Sequence, residues 1–287
     1  MKYVHCADVH IGMEFALNKL KSRQRKAEIL QSFLSLVEYC RDEAVDILLI
    51  AGDLFDNENV DAAVVEQVKS ALGSIPQTDV YVAPGNHDAY TITSPYRDEG
   101  WSDNVTIFNG TPRVIERADK GYRIWGCGFE SCFVMNRLLM GVRLPKDELV
   151  NIGILHGQLV GKNGKSEYNA ITDSDIEKSG IDYLALGHVH KQTGVQRIGD
   201  TLYAYSGTTE GQGFDEEGIR GFYTGELSKQ LLGRHELIAE YVSTSRRRYY
   251  HVNVDVTGAL NRAQFVDIIC SEAQSVTEDD EFAWLLT

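Results

Sequence analysis

Five short segments hold most of the residues in this chain that could do chemistry. They are Asp8-Val9-His10, Gly52-Asp53, Gly85-Asn86-His87-Asp88, His156-Gly157 and Gly187-His188-Val189-His190. Six of the eight histidines lie in or beside them, counting His5; His235 and His251 are the exceptions. Asp-x-His and His-x-His let alternate residues approach one centre, and the glycines permit tight turns and close approaches. Asp8, Asp53, Asn86, His10, His156, His188 and His190 make a ligand field of mixed oxygen and nitrogen. That is too many donors for one ion but a fair number for two ions sharing a bridging carboxylate. Imidazole with carboxylate suits manganese, iron or zinc, and the lack of thiolate argues against a structural zinc. Two such ions, about 3.5–4 Å apart, activate a water and brace the oxygens of a phosphoryl displacement. Any one segment alone reads as an ordinary polar turn; five in this order do not.

Each segment needs an element to position it, and each follows an apolar run. The first strand is expected over about Tyr3–Ala7 and ends at Asp8-Val9-His10. A loop carrying Lys19, Lys21, Arg23, Arg25 and Lys26 is expected next. Ala27, Leu30, Phe33, Leu34 and Val37 then recur at helical spacing and predict a helix to about Ala44. Asp46–Ala51 reads as a fully buried strand closed by Gly52-Asp53. Asp61 caps a second helix with Val64, Val65, Val68 and Leu72 on one face. Val80–Ala83 leads into Pro84-Gly85, which turns the backbone and leaves Asn86, His87 and Asp88 at the strand's carboxyl end. Open α/β sheets place their ligands there.

Beyond about Val105 short strands are expected at 112–116, 122–128, 150–155, 202–205, 221–227 and 237–242. Thr172 and Asp175 resemble a capping box, and Tyr183–Leu186 leads into Gly187-His188-Val189-His190. Arg246-Arg247-Arg248 reads as a junction. After it come an alternating strand over 249–256, a helix around Ala263–Cys270, and a last strand from Phe282. The expected domains are 1–245 and 246–287, the latter the first part of a second domain of a longer natural chain.

The 287 residues can bury one large core. No run is long and apolar enough for a membrane helix, and the N-terminus does not read as a signal peptide. Cys6, Cys40, Cys127, Cys132 and Cys270 are odd in number and scattered, as in a cytoplasmic protein with reduced thiols. Lys+Arg 28 against Asp+Glu 42 gives −14, which argues against a large non-specific nucleic-acid surface. Basic residues cluster at 19–26 and 246–248; such clusters read first as solvated surface, with phosphate contact as the functional alternative.

The ordered motifs over about 1–245 resemble the calcineurin-like metallophosphoesterases. Three stretches are similar, more narrowly, to SbcD-type DNA repair exonucleases. They are His5-Cys6-Ala7-Asp8-Val9-His10-Ile11-Gly12, Gly52-Asp53-Leu54-Phe55-Asp56 and Asp182-Tyr183-Leu184-Ala185-Leu186-Gly187-His188-Val189-His190. Tyr205-Ser206-Gly207-Thr208 is also similar, with Ser206 where the family often has proline. The resemblance implies an α/β, four-layer αββα sandwich with the start of a small capping domain. It implies one divalent ion on Asp8, His10 and His190 and another on Asn86, His156 and His188. Asp53 would bridge them, and manganese is the favoured ion. His87 would protonate or polarise the leaving oxygen, with Asp88 orienting it. Phe55 and Asp56 would shape the wall, and His5 would be structural or support the ligands. DNA would be the substrate, an SbcC-like ATPase the partner of the full-length protein, and a homodimer one assembly open to it; no membrane is implied.

The leading expectation is therefore a metal-dependent DNA exo- and endonuclease. The alternatives are a small-substrate phosphodiesterase or phosphatase using the same centre, and a binding scaffold that has lost catalysis. The scaffold should lack ligands, and here every expected position is filled.

Overall fold

The computed structural model describes residues 1–16, 19–233, 237 and 239–276. Strands β1 (Lys2–Cys6), β2 (Ile47–Ile50) and β3 (Asp79–Val82) alternate with helices α1 (Lys19–Asp42) and α2 (Ala62–Gly73), and β4 (Val105–Ile107) follows. The four strands pair in parallel in the order β1-β2-β3-β4. The next stretch supplies β5 (Arg113–Arg117), β6 (Tyr122–Cys127), β7 (Val150–His156), the short pair β8 (Gln158–Val160) and β9 (Ala170–Thr172), then α3 (Asp173–Lys178). It continues with β10 (Tyr183–Gly187), β11 (Gln196–Ile198) and β12 (Thr201–Tyr205). These build a second sheet, β11-β12-β10-β7-β6-β5, whose central strands β12, β10, β7 and β6 run parallel. The chain then returns to the first sheet through β13 (Gly221–Glu226), which lies antiparallel to β1. Helix α4 (Lys229–Gly233) and strand β14 (Ala239–Ser243) follow, with β14 on the outer edge beyond β13.

Period-two alternation sorts the strand residues into layers. Val4, Cys6, Leu48, Ile50, Val80 and Val82 face Ile29, Phe33 and Leu36 of α1 and Val65, Val68 and Leu72 of α2. Their neighbours Tyr3, Ile47, Leu49 and Tyr81 point the other way, onto Tyr122, Ile124, Ile152, Ile154 and Tyr183 of the second sheet. The outer face of that sheet, Trp125, Leu155, Leu184, Leu186 and Tyr203, is covered by Ile176 of α3 with Leu139 and Ile181. The architecture is thus two facing α/β sheets with helical cover outside. Among the described residues no helix is long and apolar enough to cross a membrane.

Local signals hold where a side chain meets its own backbone. Asp61 accepts from the Ala63 amide at 2.8 Å, and Asp175 accepts from the Thr172 amide and hydroxyl at 3.1 and 2.8 Å. Two expectations are corrected. The basic cluster after the first strand is not a loop: α1 begins at Lys19. The alternation over 249–256 does not make a strand. It leaves Val252, Val254 and Val256 half-buried, but only Tyr249 pairs, in an isolated bridge with Glu217. Alternation predicts a face; a strand also needs a hydrogen-bonding neighbour. The strand expected from Phe282 lies outside the described residues.

The chain divides into two compact units, Met1–Glu210 with Ile219–Arg247, and Gly211–Gly218 with Arg248–Thr287. The first holds both large sheets. The second, described as far as Val276, contains α5 (Arg262–Val276) and the 211–218 loop. In it the Phe214 ring packs on Tyr249, and the Gly218 amide donates to the Tyr249 carbonyl at 3.1 Å.

Candidate metal centre

The carboxyl ends of β1, β2, β3, β7 and β10 meet in the first unit, and all seven expected donors come with them. The loops after β1 and β2 run alongside each other: the Asp8 amide donates to Gly52 O at 3.0 Å and the His10 amide to Asp53 O at 2.9 Å. This pairing holds several residues in left-handed backbone. Asp8, His10, Asp53 and His188 have φ of 51°, 54°, 50° and 103°, four of the six non-glycine positive φ values among the described residues. Asp and His tolerate this region better than most residues, yet four in one place is backbone strain held by the surrounding structure.

Asp8, His10 and His190 form one group whose ligand atoms all lie within 4.8 Å of one another; Asp8, Asp53 and His156 form another. The Nε2 atoms of His10 and His190 are 3.2 Å apart. Asn86 Oδ1 lies 3.0 Å from His156 Nε2 and 3.2 Å from His188 Nδ1. Asp53 Oδ2 sits between the two sets, 3.3 Å from His156 Nε2 and 3.9 Å from His10 Nε2. Asp8, His10, Asp53 and His156 are all at most 2% exposed. Close packing makes this possible. A Cβ at Gly52 would lie 2.2 Å from His156 Nδ1, and one at Gly85 would lie 2.3 Å from Asp53 Oδ1.

The donor chemistry fits divalent cations. His156 Nδ1 donates to the Ala51 carbonyl at 2.9 Å, which directs its Nε2 at Asn86 and Asp53. Both of those present oxygen, so a neutral imidazole would set acceptor against acceptor; a cation between them resolves the conflict. His10 repeats the pattern, with Nδ1 donating to Asp56 Oδ1 at 3.1 Å and Nε2 facing inward. The charges agree. Burial opposes charge on His156, but the Asp53 carboxylate outweighs it and raises its pKa to about 9. Burial likewise opposes charge on His10, and Asp56, Asp53 and Asp8 outweigh it. Asp53 is itself held low by His156 despite its burial. His188 goes the other way: burial, then the nearby His156, lower it to about 4 and keep it a neutral donor.

His87 and Asp88 separate. The His87 side chain is 45% exposed, and its ring stands edge-on to His10 with centroids 4.6 Å apart. Its amide donates to Asp53 Oδ1 at 2.9 Å, and its Nδ1 meets the Asp56 carbonyl at 3.0 Å. It also forms a third close group with His10 and Asp53. Asp88 was expected to orient this ring, and its bonds lie elsewhere. Its carboxylate accepts from the amides of Gly85, Asp53 and Phe55 at 2.7, 3.2 and 3.1 Å, and from the Tyr96 hydroxyl at 2.5 Å. Being fully buried, it knots the loops after β2 and β3 together. The carboxylate beside His87 is Asp56, 3.8 Å from its Nδ1.

Sequence reasoning passed over three supports. Asp56 looked like a wall residue and instead holds His10; its place three residues after Asp53 was the available signal. Tyr96 anchors Asp88 and carried none. Buried Asn169, at φ 50°, donates to the His156 carbonyl at 2.8 Å, and only the fold brings it there. His5 is structural: its ring lies between the Tyr183 hydroxyl and the Leu186 carbonyl at 2.9 and 3.1 Å. Of the basic candidates, Arg25 is buried in ion pairs with Glu28 and Glu210, and Arg247 pairs with Glu28. They brace α1 against the chain at 210 and 246–247, where Glu210 also accepts both arginine amides. Burial in ion pairs leaves Arg25 unsuited to contact phosphate.

Facing sheets whose strand ends gather imidazole, carboxylate and amide donors around a buried centre define a class of metal-dependent hydrolase. The chain belongs to the calcineurin-like phosphoesterase family, whose model matches residues 1–192. It is 29% identical over 284 residues to the protein of Bacillus subtilis (strain 168) called uncharacterized metallophosphoesterase YhaO, covering 94% of this chain and 66% of that one. It is 24% identical to the DNA double-strand break repair protein Mre11 of Methanopyrus kandleri, covering 98% and 67%. The SbcD component of the SbcCD nuclease of B. subtilis is 25% identical, covering 76% and 64%. The chain thus spans about two thirds of the length of these relatives.

Proposed function

We propose that this protein is a metal-dependent nuclease that hydrolyses DNA phosphodiester bonds as an exo- and endonuclease, in DNA repair. The observation that carries the reading is the division of labour at the site. Seven donors converge inward, while His87, the most exposed of the site imidazoles, stands at the rim beside His10 and Asp53. The names of the Mre11 and SbcD relatives supply the DNA.

Asp8, His10 and His190 would hold one ion and Asn86, His156 and His188 the other, with Asp53 Oδ2 between them. The donor set suits manganese, iron or zinc, and the family resemblance favours manganese. Such ions, when bound, activate water and neutralise charge on the phosphoryl oxygens. His87 does the remaining work. With Nδ1 on the Asp56 carbonyl, a backbone acceptor, its Nε2 is left to give a proton to the leaving oxygen. Asp53 Oδ1 holds the His87 amide, so one carboxylate sets both the inward donors and the rim acid.

Residues 246–287 are read as belonging to a capping domain that follows the nuclease domain 1–245. The partner in this reading is an SbcC-like ATPase, supported by the name of the SbcCD relative; a homodimer is open to it. The net charge of −14 supports a second reading, a phosphodiesterase or phosphatase for small substrates. Incubation with manganese, a labelled DNA hairpin and bis(nitrophenyl) phosphate separates them. The nuclease reading expects cleavage of both, stopped by chelator. Hydrolysis of the small diester with an intact hairpin supports the second reading instead.

A further inference from the structure

A run of aromatic rings leads out of the metal centre to solvent. The His156 ring meets His188 edge-on at 5.3 Å. His188 lies against Tyr168 at 4.9 Å with 36° between planes, and Tyr168 carries Phe133 at 5.8 Å and 35°. Phe133 is 57% exposed and its neighbour Met135 67%. Both belong to the segment joining β6 to β7.

That segment is fastened to the site. The Val134 amide donates to Glu167 O and the Asn169 amide to Val134 O, each at 2.8 Å. Asn169 Oδ1 accepts from the Leu138 amide at 2.8 Å while its Nδ2 holds the His156 carbonyl. One buried asparagine therefore ties the presented ring to a candidate metal ligand. A lone exposed apolar side chain needs no explanation, but a ring held on another ring beside a catalytic centre is a built surface.

We propose that Phe133, braced on Tyr168, is a stacking ledge for a nucleobase of single-stranded nucleic acid whose phosphate lies at the metal centre; this rests on the nuclease reading. The spacing suits it. Phe133 stands two ring steps from His188, while a helically stacked strand advances about 3.4 Å along its axis per nucleotide and an extended one further. A base within a few nucleotides of the scissile bond therefore reaches the ledge. The charge suits it too. A chain at −14 draws little affinity from phosphates away from the metal centre, so contacts to the bases matter more there. Stacking supplies them for any base, since every base has a π-face, and neither Phe133 nor Met135 offers a hydrogen bond to read sequence.

The test compares wild type, Phe133→Ala and Phe133→Trp, each with manganese, on a single-stranded oligonucleotide and on the same strand with abasic residues flanking the scissile bond. Circular dichroism and thermal unfolding confirm that each variant folds. The ledge expects Phe133→Ala to raise KM on the normal strand about 5- to 100-fold, with kcat within a fewfold. The preference of wild type for the normal over the abasic strand should collapse toward one in Phe133→Ala and return in Phe133→Trp. Equal losses on both strands, or an unchanged KM on the normal strand, overturn the ledge alone. Wild-type protein that hydrolyses methyl nitrophenyl phosphate but leaves both oligonucleotides intact overturns it together with the nuclease reading.

Discussion

Replacing Gly52 by alanine should disable the centre without touching a donor. Gly52 has φ +95°, and a Cβ there would sit 2.2, 2.6 and 2.8 Å from Nδ1, Cγ and Cβ of His156. These atoms are the root of a buried ring fixed by the Ala51 carbonyl, and they cannot swing aside cheaply. Left-handed backbone costs an alanine about 1–2 kcal/mol, and forcing a methyl into a packed site costs about 1–3 kcal/mol. A stiffer unfolded chain returns about 0.4–1 kcal/mol. The net loss is about 1–5 kcal/mol, a fall in Tm of roughly 2–20 °C for a chain of this size. His156 Nε2 must leave its place beside Asn86 and Asp53, so manganese affinity should fall by about 10–100-fold, the range seen when a ligand loses its orientation. Gly121→Ala is the control: φ is +81° and nothing lies within 4 Å, so only the backbone strain remains. Thermal unfolding in chelator and calorimetric titration with manganese read the two effects separately. Equal Tm losses in the two variants, with wild-type manganese affinity in Gly52→Ala, would refute the steric argument.

His87→Gln should keep fold and metal content while turnover on DNA falls by about 10²–10⁴. The loss should be smaller on a nitrophenyl diester, whose leaving group needs little protonation. Loss of metal in this variant would make His87 a ligand. Asp88→Asn should act differently, because an amide turns a donor toward backbone N–H groups that need an acceptor. A loss of about 2–4 kcal/mol in thermal unfolding, with metal content falling too, is expected; normal stability with only turnover lost would show that Asp88 serves His87 after all. Burial lowers the His5 pKa to about 3, against about 6.5 unfolded. Its contribution is fully present above pH 6.5 and is lost as pH falls from there toward 3, at up to about 1.4 kcal/mol per unit. In chelator, His5→Leu should lose stability less steeply than wild type between pH 6 and 4, as urea titrations at each pH would show; parallel curves would remove His5 as the cause.

The strands, the capped helices and the seven donors were legible before any fold was known. The strands that end at the site are almost wholly buried and largely apolar, and the donors stand at or within a few residues of their carboxyl ends. The Asp61 cap and the Thr172–Asp175 pair were legible because each side chain bonds within three residues of itself. Which residues meet across the chain was settled by folding alone. Asp88 is one residue from His87 in sequence, but successive side chains diverge, and its carboxylate is drawn to amides and a hydroxyl from three other segments. Asp56, 31 residues before His87, faces it instead, because the loop after β2 lies beside the loop after β3. Arg25 looked like surface charge in a basic run and became a buried ion-pair partner once α1 packed beside Glu210. The strained φ values of Asp8, His10, Asp53 and His188 could not be foreseen either. No local pattern asks for them; they arise where loops from facing sheets are pressed onto one centre.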